Sequence, residues 1–192
     1  MVTPAKVLAP VDARRLTVRA GKGRQGTRDK VIVLLSFRAG MRACEIAGLD
    51  WRMVMTPSGR ISTTVAISGR IAKNGRGRHV PVHPELKLAL EVHHAHCGGP
   101  RFGPVVQSRR GSHLKPRSIV NWFRQVYDEL GLTGCSSHSG RRTFITGAAR
   151  AVHRAGGSLR DVQELAGHRA LTTTERYIEG DRDAQHRLIK LL

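Results

Sequence analysis

The sequence predicts an α+β domain, mainly helical, that carries one small antiparallel sheet. Three observations predict it. Helical patterns of apolar residues fill both ends of the chain. Two short alternating segments between residues 51 and 83 flank an Asn-Gly turn. No internal repeat and no Ser/Pro-rich linker divides the 192 residues, so a single domain is expected.

Residues 9–19 (APVDARRLTVR) open with Pro10 and Asp12, both favourable at a helix start. The stretch GKGRQGTRDK (21–30) reads as a loop. VIVLLSFRAGMRACEIAGL (31–49) is apolar on every side, which predicts a buried helix broken at Gly40 and a second short helix over 42–48 that ends at Gly48. RISTTVAI (60–67) and RHVPV (78–82) alternate as strands do, and the basic GRIAKNGRGR between them holds Asn74-Gly75, a strong hairpin signal. Helical spacing returns at 84–96, 118–130, 141–152 and 158–167. The last of these has Ser158 as its cap, Asp161 in its first turn and Gly167 at its end. The chain closes on an amphipathic tail, DAQHRLIKLL (183–192).

Composition narrows the function classes. Forty per cent of residues are hydrophobic, enough to build a core without staples or metals. No apolar run approaches the roughly 20 residues that span a bilayer, and the first residues lack the apolar centre of a signal peptide. Cys44, Cys97 and Cys135 are an odd number without CxxC spacing, which argues against a disulfide framework. A cytoplasmic protein with no membrane partner is expected. Charge is the loudest signal: 33 Lys and Arg against 14 Asp and Glu leave an excess of +19. Such an excess favours a polyanion through counterion release, and arginine's planar fork matches phosphate. His93, His94, His96 and Cys97 cluster densely, yet no second ligand pair follows at zinc spacing and helical neighbours point in different directions. No metal is expected.

Four segments carry the chemistry. GMRACEIAGLDW places Arg42 and Glu45 beside a buried helix, and AKNGRGRHVPV places Lys73 on the hairpin, eight residues before Pro81. SSHSGRRTFIT sets His138 three residues before Arg141, and LAGHRALTTTERYIEG sets His168 nine residues before Tyr177. No one segment is specific, but the four in this order resemble the tyrosine recombinases and phage-type integrases from about Val7 to the C-terminus. That family carries G-[LM]-R-x-x-E-[IL], a hairpin lysine before a V-P strand, an H-x-x-R box, and L-x-H followed by a nucleophilic tyrosine. One departure stands inside the box, where Arg142 occupies a position that is often His in relatives.

The resemblance implies the catalytic-domain fold of DNA breaking-rejoining enzymes. It also implies site-specific cleavage and rejoining of double-stranded DNA through a covalent 3′-phosphotyrosyl link at Tyr177. Because the link stores the phosphodiester energy, no cofactor is required. Arg42 and Arg141 are the candidate forks for the non-bridging oxygens, where charge gathers in the transition state. Lys73 is the candidate general acid for the leaving 5′-oxygen, and His138 the candidate base or orienting group for Tyr177. His168 is the candidate hydrogen-bond donor to phosphate, with Glu45 supporting His138 or an arginine. Arg76, Arg78, Arg109, Arg110, Lys115, Arg117 and Arg142 are read as DNA contacts, those of the run 109–118 fixing position rather than reading bases.

The resemblance further implies a bacterial or phage-derived, nucleoid-associated protein that is a homo-tetramer on DNA and a monomer or weak oligomer when free. The domain expectation is one catalytic domain over 1–192, with a core of about 7–178 and a tail of 179–192 that exchanges between protomers or folds back. The additional N-terminal clamp domain of most relatives is expected to be absent, leaving either a short recombinase or a fragment that depends on an accessory clamp. Two rival activities share these residues: type IB topoisomerase-like relaxation, and a DNA-binding module that has lost catalysis.

Overall fold

Apolar patterning decides the architecture. A computed structural model of the chain describes residues 5–73, 75–178 and Ile189. Eight α-helices and one two-stranded antiparallel sheet are found among the described residues. Helix α1 (Pro10–Gly21) starts on Pro10 and turns Leu16 and Ala20 inward. Helix α2 (Gly26–Arg38) is the axis of the domain, with every residue from Val31 to Phe37 buried. Each such aliphatic side chain contributes about 1.5–3 kcal/mol on burial, so this one helix organises the core.

Residues 26–30, expected as loop, instead form the first turn of α2. Their composition is loop-like, but tertiary contacts hold them. Arg28 donates to the Gln107 carbonyl (2.9 Å), Thr27 bonds the His93 ring (3.0 Å), and Asp29 sits in the first turn, where the helix dipole favours an anion. The break at Gly40 has two causes. Its φ of +60° is natural only to glycine, and a Cβ there would run into the Phe144 ring. Helix α3 (Ala43–Ala47) follows and ends at Gly48.

The sheet is shorter than the alternating pattern suggests. Strands β1 (Thr64–Ile67) and β2 (Arg78–Pro81) pair with Val65 opposite Val80 and Ile67 opposite Arg78. Ile61, expected in the first strand, instead makes a lone bridge to Met55 behind a 3-10 turn at Trp51–Met53. In the hairpin the Gly75 amide donates to Ala72 (3.1 Å), and Asn74 lies outside the described residues.

Four longer helices wrap this frame: α4 (Pro84–His96), α5 (Pro116–Glu129), α6 (Ser139–Ala151) and α7 (Leu159–Ala166). The Asp161 carboxylate accepts from both the amide and the hydroxyl of Ser158, and Gly167 ends α7 in the left-handed region. A 3-10 turn at Val152–Ala155 and a short helix, α8 (Leu171–Glu175), escape the sequence pattern because neither reaches two turns. A second small core of Ile145, Val152, Val162 and Ala166 joins α6 to α7 and packs against Tyr177. The amphipathic tail over 183–192 lies outside the described residues, apart from the exposed Ile189.

Candidate active site

Five separate pieces of chain meet at one cleft of about 640 Å³. Arg42 comes from the start of α3, Lys73 from the hairpin, and His138 and Arg141 from the head of α6; His168 follows α7 and Tyr177 follows α8. All six line the cleft, together with Cys44, Arg142 and Thr173. They span 136 positions of sequence between Arg42 and Tyr177, so only folding brings them together.

Arg141 is held from behind. Its two terminal nitrogens donate to the carbonyls of Gly40 and Ala166, each at 2.6 Å, and the residue is 5% exposed. Close packing makes this possible: a Cβ at Gly140 would strike Phe37 and Ser36 on α2. Burial and the neighbouring Arg42 guanidinium lower the Arg141 pKa to about 10, opposed by Glu45, so it stays a cation at neutral pH. A guanidinium has five N–H donors, and those not held by the two carbonyls remain for an anion.

Beneath the cleft sits Glu45, wholly buried. Burial alone would raise its pKa. The ion pair with Arg78, the Arg42 backbone amide and the charge of Arg141 outweigh it, and the carboxyl is held below its ordinary range. Glu45 accepts from the Arg42 amide (2.9 Å), in half of a capping box, and more loosely from Arg42 Nη1 (3.4 Å). Of the two supports expected for Glu45, His138 or an arginine, the geometry provides the arginine.

Arg78 departs from its expected place on a DNA face. Its side chain is 7% exposed and grips both Glu45 oxygens at 2.8 and 2.9 Å, while Nε donates to the Leu165 carbonyl at 2.9 Å. The signal was in the strand alternation: Arg78 shares the inward face of β2 with Val80, opposite the buried Ile67.

His168 is buried, and its Nδ1 lies 2.9 Å from the Thr174 hydroxyl. Burial first, then the Arg141, Arg42 and Arg78 cations, push its pKa down to about 4, so the ring is neutral. If Thr174 donates to Nδ1, the proton sits on Nε2 as a donor. Thr174 escaped the sequence reading because a threonine in TTTE carries no motif. The His168 and Tyr177 rings stack at 5.6 Å and 23°. Arg142, expected as a DNA contact, is half-buried with its guanidinium 5.6 Å above the Tyr177 ring, a cation–π contact. His138 lies at the exposed rim; partial burial and the charges of Arg141, Arg42 and Lys73 lower its pKa. Lys73 is exposed on the hairpin.

The remaining basic candidates stand on the surface. Arg76 is exposed beside Arg169, a neighbour of His168 that sequence reasoning missed. Arg109 and Arg110 are exposed in the turn bridged by Gln107 and His113, and Lys115 and Arg117 are exposed at the head of α5. Two of the three α4 histidines perform structural work: His93 bonds the Val105 carbonyl and Thr27, and His94 the Pro100 carbonyl.

Comparison with known proteins adds three findings. The model of the phage integrase family matches residues 6–183. The chain is 33% identical over 168 residues to tyrosine recombinase XerC of Rhodospirillum centenum, covering 85% of this chain and 45% of that protein. XerC of Xylella fastidiosa strain 9a5c is 31% identical over 157 residues, 81% of this chain and 50% of that one. The chain therefore spans about half the length of these relatives. Among solved structures, XerA recombinase shares the fold with a TM-score of 0.75 at 20% identity, covering 100% of this chain and 66% of that chain. XerH bound to its difH substrate gives 0.74 at 18%, covering 97% and 53%.

Proposed function

The chain belongs to the phage integrase family, and from that premise we propose that it is the catalytic domain of a tyrosine-type site-specific DNA recombinase. One observation carries the reading: three arginines, two histidines, a lysine and a tyrosine from distant segments face a single cleft.

In the proposed reaction the Tyr177 hydroxyl attacks a DNA phosphorus and passes its proton to His138, whose lowered pKa keeps a lone pair available. The 5′-oxygen leaves with a proton from Lys73, and a 3′-phosphotyrosyl ester remains. A second 5′-hydroxyl reverses each step, which restores the phosphodiester and frees the tyrosine. Arg42, Arg141 and the neutral His168 bind the non-bridging oxygens, where preorganised donors act most strongly. That Tyr177 shares a cleft with the arginines of its own chain supports cleavage within one protomer.

The partner is duplex DNA, with Arg76, Arg109, Arg110, Lys115 and Arg117 as phosphate contacts and Arg169 added to them. The assembly is a homo-tetramer on DNA. The tail over 179–192 exchanges between protomers on DNA. A truncation after Asp181 that assembles normally on DNA excludes this exchange. No helix among the described residues is long and apolar enough to cross a membrane, and the site of action is the bacterial nucleoid.

The test needs no known target. The protein is incubated with sheared DNA of its source and denatured in detergent, and covalently retained DNA is sequenced beside a Tyr177→Phe control. Retention by the wild type alone supports the reading and identifies the site. Equal retention by the control refutes Tyr177 as nucleophile.

A further inference from the structure

We propose that Arg78 is a positioning residue that takes up the buried charge of Glu45 and so leaves the Arg42 fork free for a phosphate in the cleft. The inference rests on the cleft being a phosphoryl-transfer site.

Three arginines surround one carboxylate, and the geometry divides their tasks. Arg78 covers both oxygens of Glu45 in a bidentate pair at 2.8 and 2.9 Å. Besides its backbone amide, Arg42 reaches the same carboxylate with its guanidinium only through Nη1 at 3.4 Å, and its Nε and Nη2 have no partner among the described residues. Arg141 is held by carbonyls instead. A buried carboxylate must be neutralised. With Arg78 gone, the cation already touching Glu45 is Arg42, which would close onto it and turn from the cleft.

Arg78 also ties the site together. It leaves β2 five residues after Lys73, and its Nε holds the Leu165 carbonyl, adjacent to the Ala166 carbonyl that anchors Arg141. The carboxyl-end carbonyls of α7, the negative pole of that helix, thus fix both guanidiniums. A direct DNA contact fits poorly, because the side chain is 7% exposed and all three of its nitrogens donate inward.

The probe is inorganic phosphate, titrated against the arginine Nε–H resonances in NMR spectra of the full chain near neutral pH. The variants are Arg78→Met, Arg78→Lys and Arg78→Met/Glu45→Gln, with thermal melting as a fold control. In the wild type phosphate should shift the Arg42 signal. Arg78→Met should weaken that binding on the order of ten-fold or more, the loss of a charge-assisted contact, and Arg78→Lys less. The double variant should return to within about three-fold of wild type, since replacing both partners removes the orphan charge. A merely structural role would lower the melting temperature of both Met variants without separating their phosphate affinities.

Wild-type binding in Arg78→Met, a double variant as weak as the single one, or a wild-type Arg42 signal blind to phosphate overturns the proposal. If Arg78→Met fails to fold, the double variant decides alone by the same three-fold and ten-fold limits. Because phosphate binding needs no DNA cleavage, failure here is separable from failure of Tyr177 to capture DNA.

Discussion

Arg141→Lys separates charge from geometry at the centre of the cleft. The substitution keeps one positive charge but replaces a planar fork of five donors by a single ammonium with three. In the native site two terminal nitrogens are held at 2.6 Å by the Gly40 and Ala166 carbonyls. A single lysine nitrogen cannot take the places of two separate guanidinium nitrogens, each bonded to its own carbonyl, and also present a fork to the phosphate. At least one buried carbonyl is then left unpaired, which costs about 1–3 kcal/mol, and each kcal/mol lowers Tm by about 2–4 °C in a domain of this size. The transition state also loses a preorganised donor, about 3–4 kcal/mol, or a rate lower by roughly 10²–10³. The assay is the rate of covalent Tyr177–DNA formation on the captured site, beside thermal melting. A variant within about three-fold of the wild-type rate and with unchanged Tm would refute the claim that the fork, rather than the charge, is what the site requires.

Three further outcomes follow from the same geometry. His168 has a folded pKa of about 4, against 6.5 for an ordinary histidine, so the unfolded chain binds a proton that the folded one refuses. Its contribution is fully present above pH 6.5 and is lost as pH falls toward 4, by about 3 kcal/mol; urea midpoints from neutral to acid pH should show this slope and His168→Gln should flatten it. Thr174→Val removes the hydroxyl beside His168 Nδ1 and should slow cleavage roughly five- to ten-fold, the worth of about one hydrogen bond. DNA affinity should be unchanged and Thr174→Ser should restore the rate; equal rates for Val and Thr dismiss the tautomer argument. Arg76→Ala and Arg110→Ala, both exposed, should each reduce the salt slope of DNA binding by about 1. An unchanged slope in filter-binding titrations would remove that residue from the DNA face.

The sequence alone determined most of the element types and the candidate residues of the cleft. Helical periodicity, Gly40, Gly48 and Gly167 as stops, and the Asn-Gly hairpin are local signals, written within a turn or two of where they act. The order Arg42, Lys73, His138, Arg141, His168 and Tyr177 was legible for the same reason, because each stands in its own short motif. The misreadings fell where tertiary contacts override local preference: residues 26–30 are loop-like in composition but are docked as helix through Arg28 and Thr27, and residues 60–63 alternate like a strand yet find no partner strand. Only the tertiary structure decided which arginines face solvent, which face the cleft, and which lies beneath it. Arg76 and Arg78 are two residues apart and chemically identical, yet one is exposed and the other is paired with Glu45, 33 positions away. Burial of a carboxylate demands a cation, and which cation answers depends on the pieces of chain that folding brings within about 3 Å.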